Sequence, residues 1–561
     1  MTSVVELPAN YYLNNFLSLM EFVTERYAAL LSQEERQFCA RFHRLDKDSQ
    51  QLYVRLLSRK GVPSPAGALF RQSKLVYVEI SDLPAAAAQL VQAGLLQRNP
   101  VLSVEALLPL FTKAELLASS QTPLAKTLKR PALEQALLAQ AGEAVADRLL
   151  SGESLLAVQA AECFETFKLC FFGNLNQDLT DYVLRDLGLL RYERYPLERE
   201  RLPFQHRAQI EQHLHYYQCL AEAETAMQSG SDAIQQLAAK LPQANGEDAT
   251  LARRVDRLRL HLARQLERLD ALDAAEQLYG QCTRPPARER RARIAVQRGD
   301  TGSGLALCRE IMATPWDEAE QEFAEGFGYR TAKATIHRTD WPAPEKYRPP
   351  TETVSLQPGP ECVELQAASH LAQSSATGDD MQPPAQCFYV ENTLFNGVLG
   401  LYVWDIVFAP IPGAFFNPFQ IAPSDFRTGD FYRQRRTAFE QRLSELDRQS
   451  LQQRVWENYR NKSGIANPLV TWEALPKTLL EMALERISPQ HWQQIFRRLL
   501  ADIGNHRSGL PDLILFPADG SYELVEVKGP GDRLQQNQQR WLRFFARHQI
   551  PHRVVHVEWQ P

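Results

Sequence analysis

No CxxC pair occurs anywhere in the chain. Its eight cysteines, Cys39, Cys163, Cys170, Cys219, Cys282, Cys308, Cys362 and Cys387, are scattered over 561 residues. That spacing argues against a structural zinc site or a disulfide framework and fits a reducing compartment. No run of about 18 apolar residues is present, so no transmembrane helix is expected. The first residues are polar and acidic and lack a signal-peptide pattern. There is no surplus of positive charge either: 62 Lys plus Arg stand against 67 Asp plus Glu, a net charge of −5. A nucleic-acid partner must therefore be met by local basic patches.

What remains is ordinary for a globular protein, with 44% hydrophobic and 23% charged residues. The length suggests three or four domains. The most informative stretch lies near the C-terminus. Gly509-Leu510-Pro511-Asp512-Leu513-Ile514-Leu515-Phe516 and Tyr522-Glu523-Leu524-Val525-Glu526-Val527-Lys528 flank Pro517-Ala518-Asp519-Gly520-Ser521. Asp-Gly is a strong turn signal, and the flanks suit strands. If Phe516 pairs with Tyr522, Asp512 falls directly opposite Glu526, about 4.5–5.5 Å apart between Cβ atoms. Two carboxylates that close repel unless a cation lies between them. Lys528, two residues on from Glu526, projects from the same face. Two carboxylates and an ammonium suit a hard divalent ion that activates water beside a phosphate. A solvent-facing hairpin is the bland alternative for so short a pattern.

Upstream, residues 1–66 read as a helical DNA-binding domain, with Phe16, Leu19, Val23, Phe38, Phe42 and Leu52 inside and Arg36, Arg41, Arg44, Arg55 and Arg59 outside, either a solvated face or a phosphate-tracking surface. Residues 67–150 suggest a SAP-like or winged-helix-like module with one strand-like run, Lys74 to Ile80, and a helix stopped by Gly94. Residues 151–240 read as helical, including a helix that ends within Asp178 to Gly188. Residues 241–340 read as tetratricopeptide-like helix pairs. Between 251 and 300, 12 Arg face 7 Asp plus Glu, either a DNA surface or a solvated face. Prolines 342, 344, 349, 350, 358, 360, 383 and 384 mark 341–386 as a linker. Residues 387–561 form the terminal domain.

In that domain Glu391 is expected to open a long apolar helix through Phe408. It either answers the helix dipole or supplies a third carboxylate; Asp405 competes for the latter role. Asp532 or a neighbour is expected to cap a helix over about Arg533 to Gln549, and Arg553 to Trp559 reads as a last strand. The core then runs helix, strand, strand, helix, strand. Arg507, just before the hairpin, is a candidate phosphate contact. Arg533 and Gln538 either touch DNA or brace Lys528. For all three, ordinary surface polarity is the rival reading.

Pro511-Asp512 with Glu526-Val527-Lys528 matches the PD-(D/E)XK nuclease signature. The runs Gly509 to Leu513 and Leu524 to Leu534, with Gln538 and Trp541-Leu542, resemble its VRR-NUC subgroup. Glu391 with Leu401-Tyr402-Val403-Trp404-Asp405-Ile406-Val407-Phe408, Ile411-Pro412-Gly413 and Phe419 resembles the Fanconi-associated nuclease family. The fold class expected is a mainly α-helical front and middle with a C-terminal α/β restriction-endonuclease-like domain. The resemblance implies a metal-dependent phosphodiesterase with 5′-flap endonuclease and 5′-to-3′ exonuclease action in interstrand crosslink repair. Its partner would be branched or flapped duplex DNA, with a homodimer on DNA left open. Glu391, Asp512, Glu526 and the Val527 carbonyl would hold Mg²⁺ or Mn²⁺, and Lys528 would orient water or steady charge. No ubiquitin-binding zinc finger is seen, as expected of a compact bacterial member. A cytoplasmic, nucleoid-associated location follows for a bacterial source, a nuclear one for a eukaryotic source. The rival functions are a Holliday-junction resolvase and a non-catalytic DNA- or protein-binding scaffold.

Overall fold

A computed structural model describes residues 10–140, 142–178, 190–243, 248–334, 341–374 and 385–560. The chain divides into two compact units: Met1–Leu190 with Pro203–Leu214, and Arg191–Leu202 with His215–Pro561.

The first unit opens with helices Tyr11–Tyr27, Gln33–His43 and Lys47–Leu57. Local chemistry starts them where it should. Ser32 and Glu35 form a reciprocal capping box, and the Asp46 side chain accepts from the Ser49 N–H. Their apolar faces meet in Phe16, Phe38, Phe42 and Tyr53, all fully buried. Several arginines on these helices brace the unit itself: Arg55 pairs with Glu79, and Arg41 donates to the Ala93 carbonyl. Strands β1 (Leu69–Arg71), β2 (Leu96–Arg98) and β3 (Leu155–Val158) form an antiparallel sheet in the order β1-β3-β2. This corrects two expectations. Lys74 to Ile80 is not a strand, and its Val76 and Val78 are exposed with nothing to pack against. The central strand instead comes from Leu155–Val158, a wholly buried run in a stretch read as helical. Helix Leu83–Gln92 does stop before Gly94, which takes a left-handed φ of 69°. Of the expected helix end at Asp178 to Gly188, residues 179–188 lie outside the described residues.

In the second unit, helices Ala249–Arg268, Leu272–Gly280, Ala287–Gln297, Thr301–Ala313 and Glu318–Ala334 pack each on the next. Leu251, Val255, Leu258, Leu262 and Leu266 recur at helical spacing and are buried. Five of the twelve arginines between 251 and 300 are held in ion pairs among the described residues. Arg253 pairs with Asp430, Arg259 with Asp256, Arg288 with Glu320, Arg290 with Glu267, and Arg298 with Asp273 and Glu276.

The terminal sheet has five strands in the order β4-β8-β7-β6-β5: β4 Thr351–Leu356, β5 Gln386–Tyr389, β6 Leu513–Phe516, β7 Glu523–Lys528 and β8 His552–Trp559. The β4/β8 and β7/β8 pairs are parallel; β6 is antiparallel to both its neighbours. Two strands were not expected, and β4 comes from the stretch read as a linker, as does helix Val363–Ser374. Prolines 349, 350, 358 and 360 bracket β4 rather than interrupt it, while Val354 and Leu356 alternate inward. Helix Val363–Ser374 covers one sheet face, burying Ala367, Ala368 and Leu371 against Leu513, Leu515, Val525 and Val527. On the other face Ile514, Phe516 and Leu524 join a core with Trp492, Trp541, Leu542 and Phe545.

Candidate active site

Alternation along the strands sorts the polar residues. Odd positions Leu513, Val525 and Val527 face helix Val363–Ser374, which leaves Asp512, Glu526 and Lys528 with the opposite face. The ladder pairs Leu513 with Val525, Ile514 with Leu524 and Leu515 with Glu523. One step further places Asp512 across from Glu526, as the Asp519-Gly520 turn implied. Gly520 has φ 85°, a conformation that side chains resist, and Asp519 accepts from the Ser521 N–H and hydroxyl. Across the hairpin, Asp512 Oδ2 accepts from the Val527 N–H at 2.8 Å.

All three side chains are withdrawn from water, with Asp512 at 7%, Glu526 at 1% and Lys528 at 7% exposure. Burial pushes the Glu526 carboxyl up to about 8, and neighbouring Asp512 adds to the shift against the pull of Lys528. Burial likewise pushes Asp512 up to about 6, opposed by the Val527 N–H and by Lys528, and reinforced by Glu391 and Glu364. Lys528 Nζ lies 2.7 Å from Glu526 Oε1. That charge-assisted contact engages Oε1, and no donor reaches Oε2. A buried carboxylate with an idle oxygen beside a second carboxylate is costly unless a cation completes it. The residues therefore fit a hard divalent ion. Among the described residues no three His, Cys, Asp or Glu side chains already converge into a full ligand set; the built part is the Asp512–Glu526 pair.

Glu391 differs from expectation. It stands exposed in the turn after β5, and the helix begins only at Leu394 and ends at Tyr402. Asn392 takes a left-handed φ of 52°, which breaks the chain direction between strand and helix. The Val390 N–H donates to the Asp512 carbonyl at 2.7 Å, so the turn is tied to the hairpin. Its carboxylate accepts from the Tyr389 hydroxyl at 2.5 Å and from Asn392 Nδ2 at 3.2 Å. Asp405, its competitor, is engaged with Arg442 through bonds of 2.8 and 3.0 Å.

Arg507 is half-buried and forms no ion pair among the described residues. Burial and the nearby Arg427 guanidinium lower its proton affinity. Arg533 is exposed, in the loop before the helix rather than at its start. That helix runs Gln536–Arg547 and is capped by Gln535, not Asp532. Asp532 instead accepts from the Gly529 N–H, closing the turn after β7. Gln538 Oε1 accepts from the Gln535 N–H, so this side chain completes a capping box rather than bracing Lys528.

Sequence reasoning missed Glu364, Tyr389 and Asn392. The field of Glu364 reaches both Asp512 and Tyr389. Its helix was announced by Val363, Ala367, Ala368 and Leu371 at helical spacing, a signal masked by the surrounding prolines.

The VRR-NUC domain family model matches residues 446–559, and the FAN1 HTH domain model matches residues 10–97. The Fanconi-associated nuclease 1 homolog of Pseudomonas aeruginosa is 35% identical over 556 residues, covering 98% of this chain and 96% of that protein. Fanconi-associated nuclease 1 of Homo sapiens is 24% identical, over 98% of this chain and 62% of its own length. Crystal structures of paFAN1 bound to 2-nt and 1-nt 5′ flap DNA with a gap superpose with TM-scores of 0.83 and 0.82, each at 34% identity over 99% of this chain and 100% of theirs. Nucleases with a VRR-NUC domain depend on divalent metal, which agrees with the buried carboxylate pair. With a helical front, a C-terminal sheet carrying that pair and full-length identity of this order, the chain belongs to the Fanconi-associated nuclease family.

Proposed function

We propose that the protein hydrolyses phosphodiester bonds near 5′ flaps, as an endonuclease and a 5′-to-3′ exonuclease, in the repair of interstrand crosslinks. The observation that carries the chemistry is Glu526: 1% exposed, with Oε2 lacking any donor, opposite Asp512. Flapped DNA as substrate rests on likeness to paFAN1, which has been crystallised with such DNA. Asp512, Glu526, Glu391 and the Val527 carbonyl would hold Mg²⁺ or Mn²⁺. Such an ion supplies an activated water and neutralises charge on the phosphoryl oxygens. The chain's own groups do the rest. Lys528, its ammonium 2.7 Å from Glu526, orients the attacking water and steadies the negative charge that grows on the phosphate. The Val527 N–H fixes the Asp512 carboxylate, so one lone pair of Oδ2 is spent and the others would be left to hold such an ion. Arg507, free of any carboxylate among the described residues, receives a strand phosphate.

Cleavage of a labelled 5′ flap in Mn²⁺, with and without chelator, tests this reading. Asp512→Ala and Glu526→Ala should abolish cleavage and leave flap binding intact. Full cleavage by either variant overturns the assignment. A mobile four-way junction in the same assay, cut symmetrically in preference to the flap, would favour a resolvase.

A further inference from the structure

Of the three acidic residues assigned to the ion, Glu391 alone is exposed, whereas Glu526 lies within β7 and Asp512 directly precedes β6. Its place is set by neighbours. Asn392 has φ 52°, a region that Asn tolerates better than most side chains. Its side chain reaches in two directions at once. Nδ2 donates to Glu391 Oε1 at 3.2 Å, and Oδ1 accepts from the Leu510 N–H at 3.1 Å, two residues before Asp512. The Asn392 carbonyl accepts from Asn396 Nδ2 at 2.7 Å, and that same amide donates to the Arg507 carbonyl at 2.8 Å. Asn396 is buried at 6% exposure, so these bonds are shielded from water. The second Glu391 oxygen accepts from the Tyr389 hydroxyl at 2.5 Å. Each carboxylate oxygen thus keeps one lone pair for its donor and one for another partner.

We infer that Asn392 is a positioning residue that couples Glu391 to the Asp512 strand, so that the third carboxylate arrives in register when a divalent ion binds, with Tyr389 steadying its far oxygen. This rests on the metal-dependent reading of the site given above. A plain turn residue would need only its backbone; an Asn whose amide bridges a candidate ligand to the strand of another does more. Groups of this kind around metal ligands typically change metal affinity or activity by about 10–100-fold when removed.

The variant that isolates the side chain is Asn392→Gly, because glycine keeps the left-handed backbone without strain. Mn²⁺ binding to the full-length protein without DNA, read by calorimetry or by the Mn²⁺ spin-resonance signal, should weaken about tenfold. The kcat on flap DNA should fall by a similar factor with KM for DNA unchanged, and raised Mn²⁺ should recover most of it. Tyr389→Phe should show the same pattern at a few-fold scale. Thermal melting identifies a variant that has merely unfolded; Asn392→Asp, which keeps the acceptor for Leu510 and the tolerance of φ, then stands in for it. Unchanged or tightened Mn²⁺ binding in Asn392→Gly, with wild type binding and Asp512→Ala not, overturns the positioning role alone. Failure of the wild-type protein to bind Mn²⁺, or normal binding by Asp512→Ala, overturns the site assignment beneath it.

Discussion

Two clusters of buried charge sit in the second unit and are built on opposite terms. In the helical repeats, Arg288 and Glu320 are almost wholly buried, and every group has a partner. Arg288 Nε and Nη2 donate to the two Glu320 oxygens at 2.9 and 2.6 Å, Nη2 also reaches the Thr314 carbonyl at 2.8 Å, and the Trp316 N–H donates to Glu320. The Trp316 ring lies 3.9 Å from the guanidinium carbon. In the hairpin, Asp512 and Glu526 crowd one ammonium, and Glu526 Oε2 goes without a donor. The first cluster is fully bonded, with Glu310 also 3.5 Å from Arg288; the second leaves a buried carboxylate oxygen without a partner in the same protein. Completed buried charge holds a fold together, whereas incomplete buried charge marks a place where something else binds.

Exchanging one glutamate in each cluster separates the two roles most sharply. Glu526→Gln should cut flap cleavage by about 10³-fold or more, a loss larger than that of a single oxyanion donor in a well-studied enzyme. It should also raise metal-free stability by on the order of 1 kcal/mol, because Lys528 is then balanced by Asp512 alone. Glu320→Gln should do the reverse, destabilising by about 3–5 kcal/mol through the stranded Arg288 while sparing the activity of the folded fraction. Denaturant melts and single-turnover cleavage on both variants decide the matter; equal stability losses would dissolve the contrast.

The pH response is a smaller test of the same difference. Glu526 is raised to about 8 and Asp512 to about 6 by burial. Folding therefore favours their protonated forms. The stability they contribute is complete below about pH 4 and is lost as pH climbs toward 8. Metal-free melting temperature should fall over that window in the wild type and fall less in Glu526→Gln. Mn²⁺ binding displaces those protons, so its affinity should rise by up to about tenfold per pH unit for each proton displaced and level off above pH 8. A flat affinity profile from pH 6 to 8 would mean that the pair is not the ligand set.

The hairpin was legible because its information is local: Asp519-Gly520 sets the turn, the turn sets the register, and the register sets Asp512 against Glu526. Helix Ala249–Arg268 was legible through the helical spacing of Leu251, Val255, Leu258 and Leu262. What stayed hidden depended on distant partners. β4 is a strand because β8 lies beside it, and Val354 and Leu356 alone could not announce that. Leu155–Val158 is central because β1 and β2 flank it from some 60 to 85 residues away. Glu391 looked like a first helical residue, since nothing in the string Val390-Glu391-Asn392-Thr393 reveals the positive φ at Asn392. Arginine counts left their role open for a similar reason: a sequence counts charges but does not show which are paired, as five of the twelve over 251–300 are.

Those arginines give the smallest effect and the finest form of the comparison. Arg298, in the arginine-rich stretch, is bound to Asp273 and Glu276 at 2.7 Å each. Arg507 has no carboxylate among the described residues and lies beside Arg427, a like charge that disfavours its own. Two neighbouring guanidiniums without an acid are relieved by a phosphate, whereas a paired arginine must first give up its partner to bind one. Removing one side chain that neutralises a phosphate should flatten the slope of log affinity against log salt by about 0.9. Arg507→Ala should show that change on flap DNA. Arg533→Ala, at an exposed position just after β7, should show a smaller one, and Arg298→Ala none, although Arg298→Ala costs up to about 1 kcal/mol of stability. If Arg298→Ala flattened the slope as much as Arg507→Ala, pairing would not be what separates structural arginines from DNA-binding ones in this protein. The surface that reads the flap would then have to be sought among the paired arginines of the repeats as well.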